Sequence, residues 1–120
     1  MASTDAPLRG EIWLASLGAS RPGEPGKTRP TLIVTPEALA VGTPTDLVTV
    51  VPISSSGVPS PLAPELNSGN GLDANSVAVV RAVRSVARKR LIKRVGKASR
   101  QEQFEVDQAL LLALGLVRAG

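Results

Sequence analysis

The stretch GEPGKTRPTLIV (23–34) runs a Gly- and Pro-rich loop into a β-branched apolar segment, with Lys27, Thr28 and Arg29 at the junction. Two cations and a hydroxyl at the mouth of a strand can hold a phosphate by charge-assisted hydrogen bonds. The stretch is not a P-loop, because it lacks the full glycine-to-Gly-Lys-Ser/Thr spacing and precedes a strand rather than a helix. Solvated loop cations explain it equally well. A second cluster, Ser54, Ser55 and Ser56, closes the apolar run VVPI (50–53). A serine acting as an acyl nucleophile needs a partner base such as His, and the chain has no His. Two readings of the serines stay open: a polar exit from a strand, or hydroxyl donors for a phosphate oxygen.

Composition narrows the chemistry further. With no Cys there is no disulfide framework and no thiolate metal site, and with no His the commonest general acid–base is absent. Reactive groups are left to Arg, Lys, Ser, Thr, Asp and Glu. The scattered carboxylates Glu11, Glu24, Glu37, Asp46, Glu65 and Asp73 show no metal-ligand spacing. The net charge is +4, and residues 81–100 hold nine of the fourteen cations and no carboxylate. Such a concentration suits a polyanionic partner; the bland alternative is a solvated basic face. No apolar run reaches the length of a membrane span, and the first residues lack the pattern of a signal peptide. A cytoplasmic location is compatible with this.

The elements that must position these groups can be read from periodicity and turn chemistry. GEIWLASL (10–17) and RPTLIV (29–34) read as strands joined by an eleven-residue loop, 18–28. Pro30 is expected only at the start of its strand or on an edge. TPEALA (35–40) reads as one or two helical turns with Thr35 as N-cap. TDLVTVVPISS (45–55) reads as a central strand. Pro59, Pro61 and Pro64 then argue for a loop followed by a short edge strand. NSVAVVRAVRSV (75–86) reads as two short strands or one bent one. RKRLIKRVG (88–96) reads as a short helix ended by Gly96. Ser99 and Glu102 form a capping box for a last helix with a wide apolar face that includes Phe104. Only Trp13 and Phe104 are aromatic, both expected to be buried, so the core must be aliphatic. The expected architecture is one domain, 9–118, behind a flexible tail, 1–8: about five strands in a small, strongly bent β-barrel with appended helices.

RGEIWL (9–14), GKTRP (26–30) after a Gly/Pro/Glu loop, LVTVVPISS (47–55) and RLIKRVG…VDQAL (90–110), in this order, resemble the MazF/PemK toxins of bacterial toxin–antitoxin systems. The resemblance runs from Arg9 to Leu116. It implies an SH3-like barrel with a C-terminal helix, a homodimer, and a cognate MazE-like antitoxin that covers the active site. It also implies a metal-independent, cofactor-free endoribonuclease that cuts single-stranded RNA selectively by attack of the substrate's own 2′-hydroxyl. Such a reaction needs positioning and charge stabilisation rather than an enzymic nucleophile. By the resemblance, Arg29 and Ser54 are the catalytic residues, on the scissile phosphate. Ser54 stands where many relatives have Thr, and Ser55 is its possible substitute. Glu24, Lys27, Thr28, Ser55, Arg81 and Arg84 are the RNA-binding candidates. Ala82 replaces the family's Gln before Arg84 and Ser85, which shifts expectation toward phosphate contact and a different target sequence. Relatives that poison DNA gyrase typically lack the TRP arginine. A gyrase-binding toxin and an inactive basic nucleic-acid-binding domain are the alternatives.

Overall fold

The computed structural model describes residues 6–18, 27–36, 39 and 42–116. Among the described residues there are seven strands: β1 (Glu11–Ser16), β2 (Thr28–Ile33), β3 (Leu47–Ser54), β4 (Glu65–Leu66), β5 (Ser76–Ala78), β6 (Arg84–Ala87) and β7 (Leu91–Lys97). The helix α1 (Arg100–Ala113) follows. All pairs among these strands are antiparallel. The hydrogen-bonded order is β4-β5-β3-β2-β1-β7, with β6 paired to the first half of β3. The sheet therefore forks around β3, and the expected bent barrel takes the form of a curled half-barrel.

Alternation along the strands builds two apolar layers. Ile12, Leu32, Val51 and Ile53 point to one face and pack with Val106 and Ala109 of α1. Trp13, Ala15, Ile33, Val48, Val50, Val86 and Leu91 fill the other face. Aliphatic side chains supply nearly all of both layers, as the composition requires. Trp13 is buried, but Phe104 is 57% exposed, which corrects the expectation that both aromatics are interior. Position 104 falls on the outer side of α1, whose buried positions are Glu102, Val106 and Ala109.

The capping box at α1 is present in full, Ser99 Oγ accepting from Glu102 N and Glu102 Oε1 accepting from Ser99 N. The same buried carboxylate also accepts the Asn67 N–H at 2.7 Å and the Asn70 side-chain amide. It thereby ties the helix start to the 68–70 turn. Glu11 performs a similar service at β1. Its Oε1 accepts from Trp13 Nε1 at 3.0 Å and Leu8 N at 2.8 Å, and its Oε2 pairs with Arg94 at 3.1 Å.

The helix expected over 88–96 is not formed. Arg88–Arg90 is a single 3-10 turn and Leu91–Lys97 is strand β7 beside β1. Gly96 ends no helix. It allows a close approach instead, since a Cβ there would lie 1.7 Å from the Asn70 carbonyl oxygen. Backbone meets backbone at this point, which only glycine allows. The Thr35 hydroxyl, expected as the N-cap of a helical turn, exchanges hydrogen bonds with the backbone of Thr49. Most of the rest of that expected turn lies outside the described residues. The 75–86 segment resolves into two strands, β5 and β6, separated by a 3-10 turn at Val80–Ala82. No helix among the described residues is long and apolar enough to cross a membrane.

Candidate functional site

The site begins with the register of three strands. β1 and β2 pair Trp13 with Thr31 and Ala15 with Arg29. β2 and β3 pair Ile33 with Val50 and Thr31 with Pro52, and there the ladder stops. Pro30 has no N–H to offer β3, so the pairing cannot extend past it. It is tolerated inside a central strand because β2 is locally an edge at this position. Continuing the same register by two residues brings Arg29 level with Ser54, Ser54 being half-buried. Residues two apart in a strand share a face. Arg29 and Ser54 thus sit on the face of Thr31 and Pro52, at a mouth where the two strands are no longer stitched together.

Ser54 is the last residue of β3 and pairs with Val77 of β5. Its Oγ accepts the Ser56 N–H at 3.2 Å and lies 3.3 Å from Ser56 Oγ. This small turn fixes the hydroxyl at the strand end, the local bond that serine readily makes. Ser55 and Ser56 are exposed beyond it. A guanidinium with a planar fork of donors beside an oriented hydroxyl can bind a phosphate and stabilise charge developing on it.

The base of the β1–β2 connection adds three of the other candidates. Thr28 pairs with Ser16. Lys27 is exposed and has φ +59, the left-handed region that few residues other than glycine adopt. Leu17 N donates to Lys27 O at 2.8 Å, while Lys27 N donates to Gly18 O instead of returning to Leu17 O. The Leu17 carbonyl receives Arg84 Nη1 at 3.3 Å. Arg84 comes from β6, where it pairs with Val50 and so shares the face of Arg29. Arg81 is exposed on the preceding 3-10 turn, apart from this cluster in the chain's course. Glu24 lies outside the described residues.

The sequence reading passes over one participant. Arg90 Nη1 donates to Ser16 O at 3.4 Å, at the point where β1 outruns its pairing with β7 at Ala15↔Leu91. A helix over 88–96 would hide this, since only a turn followed by a strand brings Arg90 back over the end of β1. Arg88 of the same turn lies 5.1 Å over the Trp13 ring.

This architecture is a small curled half-barrel, an antiparallel sheet with a helix on one face. Residues 8–114 match the model of the PemK-like, MazF-like toxins of type II toxin–antitoxin systems, and the chain belongs to that family. It is 33% identical over 113 residues to endoribonuclease MazF9 of Mycobacterium tuberculosis, covering 90% of this chain and 96% of that protein. It is 34% identical over 111 residues to a probable endoribonuclease MazF of Mycolicibacterium smegmatis, covering 90% of this chain and 96% of that protein. The fold superposes on MazF of Deinococcus radiodurans with a TM-score of 0.77 at 24% identity, over 92% of this chain and 98% of that one. It also superposes on a mycobacterial endoribonuclease solved with its cognate antitoxin, with a TM-score of 0.76 at 23% identity, over 94% and 99%.

Proposed function

We propose that this protein is the toxin of a type II toxin–antitoxin pair and acts as an endoribonuclease on single-stranded RNA. The reading rests on the family match together with the β2–β3 register, which, carried two residues past Thr31↔Pro52, sets Arg29 level with Ser54 on one face. In the proposed reaction the RNA 2′-hydroxyl attacks the adjacent phosphorus and gives its proton to water, while the P–O5′ bond breaks and the 5′-oxygen takes a proton from water, giving a 2′,3′-cyclic phosphate and a 5′-hydroxyl. Arg29 binds the non-bridging oxygens and stabilises the charge that builds on them; Ser54 donates its hydroxyl to the same group. A guanidinium keeps its positive charge and has no lone pair to offer, which suits this electrostatic role better than that of a base.

Lys27, Thr28, Ser55 and Arg81 are assigned to hold flanking phosphates or bases, and Glu24 to the same RNA through the loop. Arg84 stands on the same face of the sheet as Arg29. The reaction needs no metal. Two copies of the chain form the working unit, residues 9–118 act as one domain, and a MazE-like antitoxin silences it; a cytoplasmic location follows from an RNA substrate.

The test is cleavage of single-stranded RNA by purified protein in EDTA, with end mapping of the products. Cyclic phosphate ends that persist under chelation support the reading. Activity that disappears with chelation, or intact RNA beside inhibited DNA supercoiling, would sink it, the latter in favour of a gyrase-binding toxin.

A further inference from the structure

We infer that Arg84, together with Arg90, is a positioning residue that pins the end of the β1–β2 hairpin and so holds Arg29 in place, rather than a group that itself binds RNA. The inference rests on the proposed nuclease reading. Its starting point is an interrupted ladder. In a regular antiparallel pair Leu17 and Lys27 would exchange two hydrogen bonds. Only one is made, because the left-handed backbone at Lys27 sends its N–H to Gly18 O. Leu17 O is left to Arg84, 67 residues away in sequence. One carbonyl earlier, the β1–β7 pairing has ended at Ala15, and Arg90 supplies the donor that β7 no longer can.

Two guanidinium groups from different elements thus bind consecutive carbonyls at the exit of β1. β6 and β1 are not neighbours in the sheet; β2 and β3 lie between them. Arg84 therefore bridges the curl. Leu17–Lys27 is followed on the same face by Ala15↔Arg29, so fixing the first pair fixes the register of the second. Arg90 has its own footing. The 88–90 turn is anchored by Arg88 N to Asp46 O at 2.8 Å and Lys89 N to Pro44 O at 2.9 Å.

The deciding experiment compares Arg84→Ala and Arg90→Ala, made separately so that one remains if the other does not fold. Three quantities are measured: single-turnover cleavage of single-stranded RNA, RNA affinity against salt in an Arg29→Ala background, and amide hydrogen exchange at Leu17 and Lys27. Positioning predicts cleavage slower by on the order of 10- to 100-fold. It also predicts unchanged affinity and salt slope, and faster exchange at both amides. Weaker binding with a salt slope reduced by about 0.7, the signature of one lost phosphate contact on a single strand, overturns it. So does unchanged exchange, or cleavage at the wild-type rate. If the wild-type protein cuts no RNA, the nuclease reading fails, and the exchange data alone decide whether the hairpin end is pinned.

Discussion

Thr31 of β2 pairs with Pro52 of β3 as the last step of their ladder, and the same register carried two residues on sets Arg29 level with Ser54. The gap is made by Pro30, which cannot bond to β3, so the strands part just where a substrate group would need to enter. Arg29→Ala should lower the RNA cleavage rate by about 100- to 1,000-fold, the usual scale for losing a donor to developing oxyanion charge. The melting temperature should barely move, since Arg29 is outside both apolar layers. Full activity in a folded Arg29→Ala protein rules out the assigned role.

Ser54 offers a graded test of the hydroxyl. Ser54→Thr keeps the donor, restricts χ1 and suits a strand end, so cleavage should stay within about threefold of wild type. Ser54→Ala removes the donor and the Ser56 turn bond, and should cost about 10- to 100-fold. If Ala and Thr behave alike, the hydroxyl does not touch the reacting phosphate. If only Ser55→Ala is impaired, the neighbouring hydroxyl is the working one.

Glu102 gives a stability prediction independent of function. One buried carboxylate accepts from Ser99 N, Asn67 N and the Asn70 amide. Glu102→Ala would strand those donors in a site that is 6% exposed. Leaving buried donors without an acceptor, together with loss of the capping box, should cost about 2–4 kcal/mol in denaturant unfolding. A loss below about 0.5 kcal/mol would mean that water replaces the carboxylate without penalty.

These outcomes also mark what can be read in the sequence. Strands β1, β2 and β3 are legible because alternation and β-branching agree there, and the capping box because its two residues are local. The family resemblance points to Arg29 and Ser54, while their facing register depends on Pro30 and Pro52 lying in adjacent strands, a tertiary fact. The 88–96 segment imitates a helix because Leu91, Ile92 and Val95 are spaced as on one and Gly96 looks like a helix stop. The real reason for glycine there is the Asn70 backbone, distant in sequence and invisible to any local rule. Arg84 is legible as an RNA-binding candidate but not as a partner of Leu17. The left-handed residue that frees that carbonyl is a lysine rather than a glycine, so it leaves no signature in the sequence.

The Gly71–Gly96 contact is therefore a sharp test of how β7 is held. A Cβ at Gly96 would meet Asn70 O at 1.7 Å, and one at Gly71 would meet Val95 O at 2.0 Å with φ already at +96°. Neither obstacle is the end of a flexible side chain, so the strand and the turn must separate. Gly96→Ala should destabilise by about 2–4 kcal/mol, at the high end for a single substitution. Normal stability would show that β7 runs farther from the 68–70 turn.

Asp46 should make the turn below β6 sensitive to acid. The N–H groups of Thr43 and Gly42 each donate to its Oδ2 at 2.7 Å and hold its carboxyl below the usual carboxylate range. The folded state thus binds the proton less readily than the unfolded chain. Its stabilising contribution is complete above the ordinary carboxylate value and is lost as pH falls through the lowered one. The same turn carries the backbone acceptors for Arg88 and Lys89, so acid should loosen the footing of Arg90. Asp46→Asn keeps an acceptor but has nothing to titrate. Between about pH 6 and pH 2 its melting temperature should fall less than that of the wild type. Parallel curves for the two proteins would show that Asp46 titrates alike in the folded and unfolded states.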